Sequence, residues 1–179
     1  MNRLVPNGSG AFGTLSKMPP WGATPEVVSR FSGRILKELE QLFLNGKASP
    51  YDEQHNRQIL LHAACAISPL TPAESDYQLD VIRFLLNHKC PVNCLDNNKQ
   101  TPLDILLFSG GGDSAPAIID LLCASRATYT IAGEYFPLLK MVKLLASKSE
   151  KAGPACDVIA AITTRSQGTL DRAHTHLNK

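Results

Sequence analysis

Aromatic side chains are scarce in this sequence, at one Trp, four Tyr and six Phe in 179 residues. A buried core must therefore be built mainly from Leu, Ile, Val and Ala. Charge is thin as well. Charged residues make up 19% and the formal net charge is +2, too weak a field to imply a nucleic-acid or membrane partner. No apolar run approaches the ~20 residues needed to span a bilayer. A secretory pattern is missing too: Arg3 is followed by Pro6, Asn7, Gly8 and Gly10, with no apolar segment behind them. The cysteines Cys65, Cys90, Cys94, Cys123 and Cys156 are odd in number, and Cys65 and Cys123 have apolar neighbours. They read as reduced thiols serving as small core residues. These absences point to an intracellular setting, cytoplasmic or nuclear.

What is present is ordinary globular composition. Hydrophobic residues make up 44%, and the length suits one domain with a sizeable core. Charge is unevenly spread. From Lys140 onward there are seven Lys/Arg against three Asp/Glu, which leaves a neutral-to-acidic body and a basic tail.

Residues 1–23 are rich in Gly, Pro and Ser and read as an extended lead-in. Thr24-Pro25-Glu26 looks like a helix start, with Thr as cap, Pro in the first turn and an acid at the positive end. Val28, Phe31, Ile35, Leu39 and Leu42 then follow at spacings of three and four, one apolar helical face. Gly33 allows a break in its middle. Asn45-Gly46 ends it, because Gly accepts the left-handed conformation that closes a helix. Ala48–Arg57 is a polar turn, and Ile59–Ile67 an apolar helical run. The segment from Ser68 to Asp76 reads as a loop carrying Pro69 and Pro72, with a helix from about Gln78 to Asn87 behind it. A second polar turn, Val92–Gln100, leads to a helix start at Thr101-Pro102. Gly110, Gly111 and Gly112 break that helix, and another runs from about Ala115 to Ala124. No stretch alternates well enough to make a sheet.

The segments superimpose on one another. Ile59–Cys65 aligns with Thr101–Leu107 at an offset of 42 residues, and Val81–Leu86 aligns with Ile118–Cys123 at an offset of 37. The matching pieces are Leu61-His62-Ala63-Ala64, Val81-Ile82 with Leu85-Leu86, Val92-Asn93-Cys94-Leu95-Asp96, and Thr101-Pro102-Leu103. In this order they resemble the ankyrin-repeat family over roughly residues 35–130. The stretch Leu42–Asp52 is similar to the opening repeat of the short, divergent ankyrin arrays in large fungal multidomain proteins. Both offsets exceed the ~33 residues of an ankyrin repeat, and the excess falls in the loops Pro69–Tyr77 and Gly110–Ser114, where length costs little.

The resemblance implies an all-α, ankyrin-type helix-turn-helix solenoid. Its domain is 24–147, made of an N-terminal half-repeat, two clear repeats and a C-terminal cap over Ala132–Ser147. Residues 148–179 form a polar, basic tail with helical potential. It further implies a non-catalytic scaffold that binds another protein through its turn tips: Asp52, Glu53, Gln54, Asn56, Asp96, Asn97, Asn98 and Lys99. No cofactor, metal, small-molecule substrate, nucleic acid or membrane is expected. His62 would hydrogen-bond backbone between repeats. Asp104, standing where the family has His, would reach back to its own cap. Ile59 and Leu60 replace the Thr-Pro pair, so that helix loses a cap worth ~1 kcal/mol. Lys89 and Arg126 stand where the family has Gly, and each costs ~1–2 kcal/mol if left-handed.

A rival reading is a small helical enzyme or metal-binding protein. His62 and Cys65 lie three apart, as a base and nucleophile on one helix face would. His88, Cys90 and Cys94 offer zinc-ligand types, but the spacing is C-x3-C with no second pair nearby. The Gly110–Gly112 run lacks the Lys-Ser/Thr pair of a phosphate loop, since Asp113 and Ser114 follow it. His174 and His176 sit in a polar tail with no aromatic residue from Ser147 onward to stack bases. Far-ultraviolet circular dichroism should give a helix-dominated spectrum, and a sheet-rich one would contradict this reading of the sequence.

Overall fold

Three Thr-Pro pairs punctuate the chain, at Thr24-Pro25, Thr71-Pro72 and Thr101-Pro102. Proline fixes a helical φ and lacks the N–H that would go unbonded in a first turn. In the computed structural model, which describes residues 3–5, 10–109 and 113–128, each pair opens a helix. The elements are β1 (Arg3–Leu4), α1 (Gly10–Leu15), α2 (Pro25–Leu44), β2 (Asp52–Glu53), α3 (Leu60–Cys65), α4 (Pro72–Asn87), α5 (Pro102–Ser109) and α6 (Ala115–Ala124). The described chain is mostly helical with almost no strand. Its one sheet is a two-residue parallel pair, with Arg3 opposite Asp52 and Leu4 opposite Glu53.

The caps differ in how they work. Thr71 accepts the Glu74 N–H at 3.2 Å, and the Glu74 carboxylate accepts the Leu70 N–H at 2.8 Å. Thr101 and Asp104 form the reciprocal arrangement: Asp104 N–H donates to Thr101 Oγ1 at 3.2 Å, and Asp104 Oδ2 accepts the Thr101 N–H at 2.8 Å. The second is a capping box; at α4 the return bond goes to Leu70, one residue ahead of the cap. Thr24 makes no such side-chain bond to the helix backbone. Glu26 there has its carboxyl held below the usual range, first by a backbone hydrogen bond and then by the Thr24 hydroxyl.

The C-terminal ends of α2, α4 and α6 repeat one geometry. Gly46, Lys89 and Arg126 are left-handed, with φ of 64°, 59° and 63°. Their N–H groups donate to Phe43, Leu86 and Cys123, and those of Lys47, Cys90 and Ala127 donate to Leu42, Leu85 and Leu122. This is the Schellman closure. Glycine makes the first at no steric cost. Lys89 and Arg126 hold it against ~1–2 kcal/mol of backbone strain each.

Packing arranges the helices in two rows. α1, α3 and α5 touch in sequence along one row, and α2, α4 and α6 along the other. Within each pair, α1 meets α2, α3 meets α4 and α5 meets α6. The core between them includes Ile35, Leu39, Leu60, Leu61, Ile82, Leu85, Leu103 and Ile118, all at most 1% exposed. Gln78 is fully buried. Its Nε2 donates to the carbonyls of Ala64 at 3.1 Å and Ile67 at 2.9 Å, supplying partners for the end of α3. Its Oε1 is buried without a partner.

Several elements depart from the sequence reading. Residues 1–23 are not simply an extended lead-in: α1 forms there and buries Ala11, Phe12, Thr14 and Leu15. Thr14 Oγ1 donates to Glu38 at 2.8 Å, and Lys17 pairs with the same carboxylate at 2.6 Å, tying α1 to α2. A six-residue helix containing two glycines has no visible period, so only tertiary packing could reveal it. Gly33 is exposed and does not interrupt α2, because a single Gly costs a twenty-residue helix only ~1 kcal/mol. α4 begins at Pro72 and not near Gln78, because the Thr71 side chain caps it there. The cap over Ala132–Ser147, the 148–179 tail and Gly110–Gly112 lie outside the described residues. Thr71→Ala should lower stability by ~1 kcal/mol and Thr24→Ala by only a few tenths, checked by urea denaturation of the two variants side by side.

Candidate functional site

The connections α2–α3 and α4–α5 carry a turn apiece, and the two turns share one design. Gln54 N–H donates to Gln58 O and Arg57 N–H to Gln54 O; Asp96 N–H donates to Gln100 O and Lys99 N–H to Asp96 O. Arg57 and Lys99, 42 residues apart, are both left-handed, with φ of 62° and 59°. Each turn is pinned by a side chain. Asp96 Oδ1 accepts the N–H groups of Asn98 at 2.8 Å and Gln100 at 2.9 Å, an Asx-type turn. Asn56 Oδ1 accepts the Gln58 N–H at 3.1 Å.

The turns are bonded side by side. Asn97 N–H donates to Asn56 O at 2.9 Å, and its Nδ2 to His55 O at 3.3 Å. Gln58 Nε2 reaches Asp96 Oδ2 at 3.3 Å. The row continues to the end of α6, where Asn93 Nδ2 donates to Arg126 O at 3.0 Å and Asn93 Oδ1 accepts the Thr128 N–H at 2.6 Å. On the other side Val5 N–H donates to Glu53 O at 2.9 Å, which adds β1 to the first turn.

His62 joins this edge to the core. Its ring is fully buried. Nδ1 accepts the Ile59 N–H at 3.2 Å, and Nε2–H donates to Gln100 O at 3.1 Å. The first bond supplies the return half of a capping box that Ile59, lacking a hydroxyl, cannot complete. The second clamps the next turn. Burial is the main cause holding the His62 pKa below its ordinary value. The Gln100 and Cys94 backbone bonds and the Asp96 and Asp104 charges oppose it without prevailing. The ring is therefore neutral, which its acceptor role requires.

The expected turn-tip residues divide into two groups. Asn56, Asn97, Asn98 and Lys99 are exposed, and Glu53 and Gln54 are half-buried. Asp52 and Asp96 are each only 3% exposed. Their carboxylates face inward to backbone donors, Asp52 Oδ2 accepting the Ser49 N–H at 3.0 Å. They shape the turns and do not present themselves to a partner. Of the residues expected to form the repeat motif, Leu61, His62, Ala64, Thr101, Pro102, Leu103 and Asp104 are buried and Ala63 is half-buried. Arg57 and His55 were not singled out from the sequence, although the 42-residue offset that aligns the helices also places Arg57 opposite Lys99.

Of the other residues of the rival reading, Cys65 and Cys90 are buried and His88 and Cys94 half-buried. Burial pushes the Cys65 thiol far above its ordinary pKa, with Cys90 adding to the effect, which disfavours the thiolate that a nucleophile needs. Cys90 is pushed up to about 12, again chiefly by burial, and its Sγ donates to Pro50 O at 3.2 Å. His88 caps α4, with Nδ1 2.9 Å from Phe84 O, and lies against Phe84 and Phe43 at ring-centroid distances of 4.2 and 5.4 Å. Among the described residues, no group of three or more His, Cys, Asp or Glu is placed to hold a metal ion. Among them also, no helix is long and apolar enough to cross a membrane.

No family model, curated protein or solved structure matches the chain.

The neutral, buried His62 makes stability pH-dependent. Below about pH 6.5 the unfolded chain takes up a proton that folded His62 refuses. Stability should therefore fall as the pH drops from 7 towards 5, by up to ~1.4 kcal/mol per pH unit from this group. His62→Ala should cost ~2–4 kcal/mol and flatten that slope. Urea titrations at several pH values read both, and an unchanged slope would contradict the assignment.

Proposed function

We propose that this chain is a non-catalytic protein-interaction module of the ankyrin-repeat type, a short helix-turn-helix solenoid that docks another protein on its turn edge. The observation that carries this reading is the pair of turns at a 42-residue offset, built on the same hydrogen bonds and bonded to each other. Such a row is rigid before any partner arrives, so little conformational entropy is lost on docking. Exposed Asn56, Asn97, Asn98 and Lys99 supply polar groups for recognition. The helix pairs stacked in two rows, and the His62 bond from one repeat-like unit to the next turn, support the solenoid assignment.

A catalytic role finds no support at His62 and Cys65. Both ring nitrogens of His62 are engaged by backbone, and a thiol needs to ionise before it attacks. The free cysteines Cys65, Cys90, Cys94 and Cys123 suit the reducing interior of a cell, which is where this reading places the module.

Two measurements test it. A photo-crosslinking residue at Asn98 should trap a discrete protein from an extract of the source cells, whereas the same residue at Lys37, on the exposed face of α2, should not. Equal trapping at both positions, or none at Asn98, would remove the turn edge as the docking site. Native Cys65 should also resist iodoacetamide at neutral pH and react only after unfolding. Rapid modification of the folded protein would favour the enzyme.

A further inference from the structure

The connections that follow α2, α4 and α6 share one end of the molecule, joined through Cys90 to Pro50, Asn97 to Asn56 and Asn93 to Arg126. Residues 45–59, 88–101 and 125–128 make up this edge. Every exposed charged residue in it is a cation: Lys47, Arg57, Lys89, Lys99 and Arg126. Its acids are withdrawn. Asp52 and Asp96 are buried, and Glu53 is half-buried and pairs with Arg57 at 3.3 Å. The connections at the opposite end, residues 16–24, 66–71 and 113–114, expose only Lys17 and Asp113 as charged groups. Among the described connections, those at one end thus carry five exposed cations and no exposed acid.

Four of the five cations are also held at left-handed φ. Glycine or asparagine would occupy these positions with less strain. Helix C-termini favour nearby cations, which accounts for Lys89 and Arg126 in part. That argument does not reach Arg57 and Lys99, which lie in turns ahead of helix N-termini. Strain kept at several equivalent positions with one charge sign is an observation from which function can be inferred.

We propose that this edge binds an extended acidic peptide segment of a protein partner. The inference rests on the reading of the turn edge as a docking surface and adds the chemistry of what docks. Packed helices lie ~8–10 Å apart, and an extended chain advances ~3.3 Å per residue. An acid at about every third residue of the partner would therefore meet successive cations. Tyr51 and Leu95, 44% and 40% exposed, lie on the same edge and offer apolar contact to residues between the acids. Asn98 offers its amide to the peptide backbone. A nucleic-acid strand fits less well, because a row of stacking aromatics is what such strands need and the edge exposes Tyr51 alone of that kind.

The test uses the full chain and a fluorescent peptide made of four Glu-Ser-Leu repeats, followed by anisotropy. Binding should weaken as salt rises and be absent for the Gln-Ser-Leu counterpart. Arg57→Asn with Lys99→Asn should weaken it about fivefold, while the protein melts at the same temperature or higher. Arg30→Gln with Lys37→Gln, an equal charge change on exposed α2 positions, should alter it less than twofold. Should the Asn pair fold poorly, Arg57→Gly with Lys99→Gly serves in its place. No binding at low salt, an equal loss in the α2 control, or equal binding of a twelve-residue oligothymidylate would each overturn the proposal. If the peptide fails while Asn98 still crosslinks a partner, only the acidic chemistry is lost and the docking edge stands.

Discussion

A six-residue helix cannot stand alone in water, because the few hydrogen bonds it makes do not offset the entropy of its first turn. α3 is such a helix, and the rest of the described chain is arranged so that it need not stand alone. α1 and α5 flank it in its own row and α4 backs it. Gln78 satisfies carbonyls at its end, and His62 completes its start. The result is that Leu60, Leu61, Ala64 and Cys65 have no exposed surface. A fully buried polar ring like that of His62 is tolerated only because both nitrogens are bonded. The same two bonds transmit the position of α3 to the neighbouring turn, so the core fixes the edge that faces solvent.

Much of this was legible in the sequence, for identifiable reasons. α2 has five apolar residues on one face and a Gly just past its end, and periodicity of that length survives tertiary context. The 42-residue offset aligned α3 with α5, and it proved to align their preceding turns as well. Lys89 and Arg126 could be placed at helix closures because the resemblance puts Gly at those positions, and both share the left-handed geometry of Gly46. Asp104 could be expected to reach its own cap because an acid three residues after a Thr has no other near donor so well placed.

The remainder was hidden for physical reasons as well. α1 contains two glycines in six residues, so its helicity comes from burying Phe12 and Leu15 against α2 and α3 and not from its own preferences. The start of α4 was masked by Pro69 and Pro72, which read as loop until the Thr71 cap ahead of Pro72 is noticed. In the turns, polarity alone cannot tell a carboxylate that folds a turn from one that meets a partner. Asp96 and Lys99 look equally suited to solvent in the sequence, yet the first is buried by three hydrogen bonds and the second is exposed. Burial of a charged side chain depends on the donors around it, and those come from residues on both turns.

The order of helix contacts has a kinetic consequence. The main helix contacts of the described chain join partners one or two helices apart, so closing the first native contacts requires only short loops. Chains with such local contacts form their structure quickly, because little loop entropy stands in the way. They also open unevenly, since an element with neighbours on every side is released only after one of them. α3 and α4 hold that central position, while β1 is secured through a single narrow seam. Amide hydrogens should therefore be retained longest on the two central helices and be lost first along the N-terminal strand.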